Sequence, residues 1–317
     1  MEARVRAGLE DVERRLHTGM ESDAPFVAEA ARHLMSAGGK RFRPVLVLVA
    51  AEFGDAQGRG VVPAAVGVEL THLATLYHDD VMDEADLRRG AKSANARWDN
   101  SVAILTGDFL FAKASEVIAD LGPDAVRIQA RTFARLVEGQ VRETVGPREG
   151  EDRLEHYLRV VSDKTGALIS TSARYGAMMS GAGERVESLL TEFGERIGSA
   201  FQLSDDVIDI ASETDASGKT PGTDLREGVP TLPVLIARRS ASSADARLLE
   251  LLDSDLTDDA LHAEALGLLR AHTAMDEARA EVSRRADDAR RLLAELPDNP
   301  AREALAGLCD LVVHRTA

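Results

Sequence analysis

Residues 69–90 read ELTHLATLYHDDVMDEADLRRG, and this stretch decides the fold. The segment 66–77 is apolar on almost every side, which predicts a helix buried at the centre of a large bundle. It runs directly into an acidic run, DDVMD at 79–83. A second run, DDVID, occurs at 205–209, an offset of 126 residues (205 − 79 = 126). These residues therefore predict a bundle in which other helices surround a central helix that ends in an acidic cluster.

Helical patterning continues through the rest of the 317 residues, and clear strand patterns are rare. The valine-rich run 45–49 could be a buried strand, but its continuation into Ala-Ala-Glu favours helix. The prediction is an all-α protein, one bundle of roughly a dozen elements in a single domain over 1–317. Apolar residues recurring at three- and four-residue steps predict helices over 24–37, 44–53, 65–86, 102–120, 124–145, 153–179 and 184–212, with several more after 231.

Composition excludes several classes of protein. A formal net charge of −16 argues against nucleic-acid binding, which needs a basic surface. The single cysteine, Cys309, rules out an internal disulfide framework and fits a reducing compartment. The charged N-terminus lacks an apolar signal core, and the densest apolar run, 44–51, is too short for a transmembrane segment. We expect a soluble, cytoplasmic protein.

The spacing within the acidic runs predicts metal binding. On a helix Asp79 and Asp83 share a face, with Asp80 turned aside, and Asp205 and Asp209 repeat the arrangement. Such carboxylates repel one another unless a cation lies between them, and hard oxygen ligands favour Mg²⁺. A single run of this kind could be a solvated acidic face. Two copies, each after an apolar helical run, favour a magnesium site.

Two clusters of cations could bind phosphate groups. In GGKRFRP at 38–44, Lys40 and Arg43 would face one site if the segment is helical, and the paired glycines let backbone approach an anion. Arg88 and Arg89 follow the first acidic run by about one turn, and arginine suits bidentate phosphate recognition. Either cluster alone could be a surface salt-bridge patch. Their position beside an acidic run favours a phosphate site.

Seven ordered segments together resemble the trans-isoprenyl (polyprenyl) diphosphate synthases along nearly the whole chain, as in a bacterial long-chain member. The resemblance implies an isoprenoid synthase-like bundle around a central cavity. It also implies a homodimeric Mg²⁺-dependent prenyltransferase that condenses isopentenyl diphosphate with an allylic diphosphate. The segments are GGKRFRP (38–44), ELTHLATLYHDDVMDEADLRRG (69–90), GDFLFAKA (107–114), EGQ (138–140), KT (164–165), FQLSDDVIDI (201–210) and GKTPGTDLREGVPTLP (218–233).

The family pattern also implies a role for each matching residue. Isopentenyl diphosphate would be bound by Lys40, Arg43, His72 and Arg89. The metal ligands would be Asp79, Asp83, Asp205 and Asp209, with Asp206 in support. The allylic diphosphate would be bound by Arg88, Lys164 and Lys219, with Thr165 and Gln202 presenting oxygen dipoles to the allylic cation. The implied catalytic set is thus Asp79, Asp83, Arg88, Lys164, Thr165, Gln202 and Lys219.

The chain departs from the family pattern at Val229, where many relatives have lysine. One phosphate contact is then missing or comes from a neighbour such as Arg226. For the dimer, 102–120 is the candidate interface because Phe109, Leu110 and Phe111 are consecutive; the alternative is ordinary core.

Product length is predicted from the helix before the first acidic run. Thr75 and Ala74 are small where short-chain relatives carry a bulky aromatic residue, and Thr71 and Gly67 continue the same face. The expectation is a product longer than geranylgeranyl diphosphate, as for a quinone side chain. The alternative is a geranylgeranyl or farnesyl diphosphate synthase, with the tunnel closed earlier by residues such as Phe133 or Leu136.

Four other functions fit the sequence less well. A class I terpene cyclase needs no second diphosphate site, and the 4% aromatic content suits its pocket poorly. A non-catalytic subunit of a heteromeric synthase would be expected to lose its acidic runs, and a helical scaffold would not need them. A nucleotide P-loop at 218–220 fails because position 213 is Glu213 and a helix precedes it.

Overall fold

The computed structural model describes residues 1–212, 221–240 and 242–316, and within them nearly all regular structure is α-helical. A two-stranded antiparallel hairpin, β1 Leu87–Arg88 and β2 Ala91–Lys92, pairs Leu87 with Lys92 and Arg88 with Ala91. The helices are α1 Glu2–Gly19, α2 Pro25–Ser36, α3 Phe42–Ala51, α4 Val61–Met82, α5 Ala94–Arg97, α6 Asn100–Ala119, α7 Pro123–Val145, α8 Arg153–Val161, α9 Ala167–Met179, α10 Glu184–Ala211, α11 Thr223–Arg226, α12 Leu232–Ser240, α13 Ala246–Leu252, α14 Asp259–Ala271, α15 Ala274–Leu293 and α16 Pro300–His314.

Helix α4 is the central element predicted by its sequence. Most of its side chains are buried, and it packs most extensively against α6 and also contacts α3 and α1. Gly67 allows the close approach to α6, because a Cβ there would lie 2.5 Å from Ile118 Cδ1. Side-chain caps mark helix starts: Asp99 accepts from Val102 N at 2.8 Å before α6, and Asp152 accepts from Glu155 N at 2.8 Å before α8.

The all-α prediction is confirmed, and each of the seven predicted helical ranges overlaps an observed helix. The run 45–49 lies in α3, so the helical interpretation was correct. The predicted helix 153–179 is interrupted by a π-helical turn, Ser162–Gly166. Helix α1 and the short hairpin were not predicted.

Contacts divide the chain into two compact units. The first unit contains Met1–Ala134, Leu168–Gly194 and Leu296–Ala304; the second contains the described residues of 135–167, 195–295 and 305–316. Four of the five divisions fall inside helices, namely α7, α9, α10 and α16, and the fifth falls between α15 and α16. The single domain over 1–317 stays a prediction.

Candidate active site

The first acidic motif, DDVMD at 79–83, lies in the first unit where helix α4 ends. Asp79 is in the last turn and Asp83 is the C-cap residue, and the amide of Asp83 donates to the carbonyl of Asp79 at 2.8 Å. The last turn contains no basic residue, although a helix C-terminus favours cations. Because the Asp83 side chain is 56% exposed, its carboxylate faces solvent at an electronegative helix end. This arrangement suits a cation.

Asp80, between them, is turned into the protein. It is fully buried, and its Oδ1 accepts from Arg88 Nε at 2.5 Å. Its Oδ2 has no hydrogen-bond partner among the described residues. Burial raises the pKa of Asp80, and the Arg88 cation opposes that shift. Asp80 therefore anchors Arg88 beside the motif.

Arg88 and Arg89 are presented by the hairpin β1–β2. Arg89 and Gly90 form its turn with φ of +54° and +78°, as a two-residue hairpin turn requires. Arg88 Nη2 lies 3.9 Å from Asp83 Oδ2, so this guanidinium spans two aspartates of the motif. Arg89 Nη1 donates to the carbonyls of Leu34, at 3.3 Å, and of Gly38.

The glycine pair before Lys40 keeps that lysine out of the helix. Gly38 and Gly39 have φ of +94° and +153°, and α3 begins only at Phe42. The expectation that Lys40 and Arg43 share a helical face is therefore wrong, because glycine backbone in these conformations cannot continue a helix. Lys40 is exposed, on the loop that leads into α3.

Arginine side chains fill the space that the second glycine leaves. A Cβ on Gly39 would lie 2.6 Å from Arg41 Nη1 and 2.8 Å from Arg89 Nη1. Buried Arg41 donates through Nε to Glu13 Oε1 at 2.6 Å and through Nη1 to Glu69 Oε1 at 3.3 Å. Glu69 is 2% exposed, so a buried carboxylate of α4 helps to hold the cations of this cluster.

Arg43 and His72 complete the cluster in the first unit. The Nε of Arg43 is buried without a partner among the described residues. Burial lowers the pKa of His72 well below its usual value, and Arg43 and Arg89 lower it further. The imidazole is thus neutral at pH 7, a neutral donor among cations. Such a cluster suits an anion.

The second acidic motif, DDVID at 205–209, lies near the end of α10 in the second unit. Asp205 Oδ1 accepts from Arg315 Nη2 at 2.5 Å, and the same guanidinium lies over the ring of Phe201 at 4.7 Å. Sequence reasoning missed Arg315, since nothing in the local pattern near position 315 indicates a role 110 residues away.

The other two aspartates of this motif bind neighbouring elements. Asp206 is buried; its carboxylate accepts from Tyr157 Oη, from Gln202 Nε2 at 3.2 Å and from Leu232 N at 3.4 Å. Burial raises the pKa of Asp206 well above its usual value. Asp209 accepts from the amides of Thr223 and Asp224 at 3.2 and 3.3 Å, so it caps α11.

The π-helical turn presents Lys164 and Thr165 in the second unit. Thr165 Oγ1 donates to Gln202 Oε1 at 3.1 Å, which brings together the two oxygens predicted to face an allylic cation. Lys164 Nζ donates to Glu143 Oε2. Lys219, the remaining predicted phosphate ligand, lies outside the described residues.

The Arg226 side chain is held by other residues of the second unit. Its guanidinium donates to Thr257 O at 3.0 Å and to Asp259 Oδ1 at 2.8 Å, and lies 3.2 Å from His262 Nδ1. Val229 is 39% exposed nearby in the chain. The suggestion that Arg226 supplies the missing phosphate contact therefore loses support.

The predicted chain-length residues lie along α4 in the first unit. Ala74 is buried and Thr75 is half-buried. Buried Thr71 donates to Gly67 O at 2.8 Å and accepts from Gln129 Nε2 at 2.6 Å. Because Gly67 packs on Ile118 of α6, it cannot line an open path. The face of small side chains that runs back along α4 from Asp79 thus ends at Thr71, eight residues (79 − 71 = 8) or about 12 Å away.

Comparison with known proteins places the chain in a family. Residues 24–269 match the family model of the polyprenyl synthetases. The chain belongs to the polyprenyl synthetase family. The predicted resemblance to the trans-prenyl diphosphate synthases is thereby confirmed.

Similar members of the polyprenyl synthetase family differ in the products that their names state. The chain is 51% identical to the nonaprenyl diphosphate synthase of Mycobacterium tuberculosis, over 99% of this chain and 94% of that protein. It superposes with a TM-score of 0.91, at 48% identity and over 100% and 97% of the chains, on the geranylgeranyl pyrophosphate synthase of Corynebacterium glutamicum, solved with calcium and isoprenyl diphosphate. The decaprenyl diphosphate synthase of Rhodobacter capsulatus gives a TM-score of 0.90 at 35% identity, over 99% and 97%.

Two further features of the described residues concern membrane spans and metal ligands. No helix in this part of the chain is both long and apolar enough to cross a membrane. Within residues 1–212, 221–240 and 242–316, no three His, Cys, Asp or Glu side chains are grouped closely enough to hold a metal ion. The oxygen donors of each acidic motif nevertheless fit a hard divalent ion that takes further ligands from a diphosphate.

Proposed function

We propose that this member of the polyprenyl synthetase family is a Mg²⁺-dependent trans-polyprenyl diphosphate synthase, which joins isopentenyl diphosphate to an allylic diphosphate. One observation carries the proposal: helices α4 and α10 both end in an acidic motif without a basic residue in the last turn. Carboxylates at the electronegative end of a helix are unfavourable unless a cation binds there.

The metal ligands proposed are carboxylates only, which suits Mg²⁺ shared between protein and substrate phosphates. They are Asp79, Asp83, Asp205 and Asp209, and Asp209 would ligate while it caps α11. The bound ion neutralises charge on the departing diphosphate. Arg88, Lys164 and Lys219 are the proposed cationic ligands of the allylic diphosphate, as point or forked cations.

The reaction proceeds by ionisation. The carbon–oxygen bond of the allylic diphosphate breaks to give an allylic cation and pyrophosphate, and Thr165 and Gln202 present oxygen dipoles to the cation. The double bond of isopentenyl diphosphate then forms the new carbon–carbon bond, and a proton leaves to the pyrophosphate. Catalysis comes from positioning two diphosphates and keeping water from the cation.

Isopentenyl diphosphate binds in the first unit to Lys40, Arg43, His72 and Arg89. The support is the buried cluster around Glu69, where the guanidiniums of Arg41, Arg43 and Arg89 lie near two carboxylates, those of Glu69 and Glu13. The cluster therefore holds more positive than negative charge, and neutral His72 adds a hydrogen bond to a diphosphate oxygen.

The product proposed is longer than geranylgeranyl diphosphate. The support is the small pair Ala74 and Thr75 on α4, together with the high identity to the nonaprenyl diphosphate synthase. The likeness to a geranylgeranyl pyrophosphate synthase supports the shorter alternative. The stacked rings of Phe111 and Phe133, with centroids 3.9 Å apart, are a candidate floor for that case.

We propose a homodimer, for which exposed apolar side chains of α6 and α7 are the candidate interface. Ile104 and Leu105 of α6 are 43% and 66% exposed, whereas Leu110 is buried. Helix α7 adds an exposed stripe of valines: Val126, Val137, Val141 and Val145. An obligate interface buries well over about 1,000 Å² in total. Light scattering should give twice the chain mass at micromolar concentration, and a monomer there would refute the dimer.

Incubation of the purified protein with both diphosphates tests the function. With Mg²⁺ we expect allylic products extended by five-carbon units and release of pyrophosphate, both abolished by chelator and restored by Mg²⁺. A cyclic hydrocarbon from the allylic substrate alone would indicate a terpene cyclase instead. The cytoplasmic location expected from the single cysteine remains part of the proposal and is tested by fractionation of cells that express the chain.

A further inference from the structure

The π-helical turn Ser162–Gly166 is an irregularity that carries Lys164 and Thr165. Its wide turn closes when the amide of Ala167 donates to the carbonyl of Ser162. π-turns are rare and occur mostly as single turns inside α-helices, often at functional sites. Since α-helix precedes and follows this one, neighbouring elements must hold it in place.

One side chain, Arg135 of α7, bonds to both the π-turn and α10. Its Nε donates to Asp163 Oδ1 at 3.0 Å. Its Nη1 and Nη2 donate to the two oxygens of Glu195 at 3.1 and 2.8 Å, a forked pairing. Nη2 also donates to Ser162 Oγ at 3.2 Å, and that hydroxyl donates to Glu195 Oε1 at 2.6 Å. Three elements therefore meet at one guanidinium.

Two glycines allow this close approach. A Cβ on Gly139 would lie 2.9 Å from Asp163 Cβ and 3.1 Å from Lys164 N. A Cβ on Gly166 would lie 3.1 Å from Glu195 Oε1. The glycine of the EGQ segment at 138–140 thus has a physical reason: it lets α7 pack directly on the backbone of the turn.

Successive residues of the turn have different partners. Ser162 and Asp163 are bound by the Arg135 network, and Asp163 also accepts from Arg142. The next two residues, Lys164 and Thr165, are those that meet the allylic substrate in the proposed function. The Arg135 network therefore holds the first two residues of the turn, and the next two carry the proposed substrate contacts.

We propose that Arg135 is a positioning residue: by binding Asp163 and Glu195 it fixes the π-helical turn so that Lys164 and Thr165 keep the orientation the allylic reaction needs. The inference rests on the proposed function. Arg135 itself touches no substrate and acts through the turn. Isopentenyl diphosphate, assigned to residues of the first unit, is not affected.

Steady-state kinetics of Arg135→Met test the assignment. A shift of about 1 Å at reacting groups can cost on the order of 100-fold in rate, so we expect kcat to fall about 10- to 100-fold. KM should rise for the allylic diphosphate and stay within about twofold for isopentenyl diphosphate. The control is Arg131→Met, an exposed arginine one turn earlier on α7, which should leave all three constants unchanged.

A double-mutant comparison separates positioning from a merely structural role. In a Thr165→Val background Arg135→Met should lower kcat much less than in the wild type, because both changes disturb the same groups. Equal factors in both backgrounds would overturn the proposal. If Arg135→Met fails to fold, Arg135→Lys and Glu195→Gln, which keep part of the network, should give smaller losses of the same kind. An inactive wild type would refute the proposed function; an active wild type with unchanged Arg135 variants would refute only this inference.

Discussion

Helices α4 and α10 carry the same acidic pattern at an offset of 126 residues, and the same offset relates Glu69 to Glu195. Each glutamate lies ten residues before the first aspartate of its motif, and each binds an arginine: Glu69 binds Arg41 at 3.3 Å, and Glu195 binds Arg135 at 2.8 Å. Both helices thus share a carboxylate anchor at one point and an acidic end. They differ in what surrounds these shared positions.

The difference is clearest at the middle aspartate. Asp80 is paired with a cation, Arg88, whereas the hydrogen bonds to Asp206 within the described residues come from neutral donors such as Tyr157 and Gln202. The third aspartate differs as well, since Asp83 faces solvent and Asp209 caps α11. At its middle position, the same sequence motif therefore binds a cation on α4 and neutral hydrogen-bond donors on α10.

The largest expected effect is the loss of the proposed metal ligands, one on each of the two helices. Asp79→Ala and Asp205→Ala should each lower kcat by about 1,000-fold or more without unfolding the protein, because charge on the leaving diphosphate is no longer neutralised. Exposed Asp287→Ala on α15 is the matched control and should retain full activity. Near-normal turnover in either motif variant would break the equivalence of the two helices.

The second prediction copies a residue of α10 into α4. By the 126-residue offset, Phe201 of α10 is the positional equivalent of Thr75 of α4. Thr75→Phe, and Ala74→Phe beside it, should shorten the product sharply while the first condensation survives, because the ring blocks the path along α4. Chromatography of the products measures this, with Thr75→Val as the control of similar size. The same short product from the wild type and both Phe variants would refute the open path.

The sequence predicted most of the helices and the two acidic motifs because both depend on local spacing. It could not predict partners that come from distant segments, such as Tyr157, which is 49 residues from Asp206. The error at Lys40 was avoidable, since two consecutive glycines signal a break in a helix. The packing of Gly67 on Ile118 depends on how α6 docks, and no local pattern gives that.

The third prediction concerns stability and the two middle aspartates. Asp80→Asn weakens a charge-assisted bond to Arg88 and should cost about 1–3 kcal/mol of the free energy of unfolding. Asp206→Asn removes a buried carboxylate whose hydrogen bonds within the described residues come from neutral donors, so stability should change by less than about 1 kcal/mol or increase. Urea unfolding of both variants at pH 7 measures the difference. Equal losses would show that the two aspartates are held alike.

The smallest expected effect is at Arg315, which binds Asp205 of the second acidic motif from 110 residues away in the chain. Arg315 Nη2 lies 2.5 Å from the Asp205 carboxylate, so its cation occupies one side of a proposed metal ligand. A divalent ion must compete with that cation for the carboxylate, because both are drawn to the same negative charge. Arg315→Gln should therefore lower the Mg²⁺ concentration for half-maximal activity a few-fold. When it is added to Asp205→Ala, the same substitution should leave that concentration unchanged. Calorimetric titration of Mg²⁺ in the presence of pyrophosphate gives a readout independent of turnover. Exposed Arg291→Gln on α15 is the control, and a weaker affinity in Arg315→Gln would mean that Arg315 supports the metal site instead of competing with it.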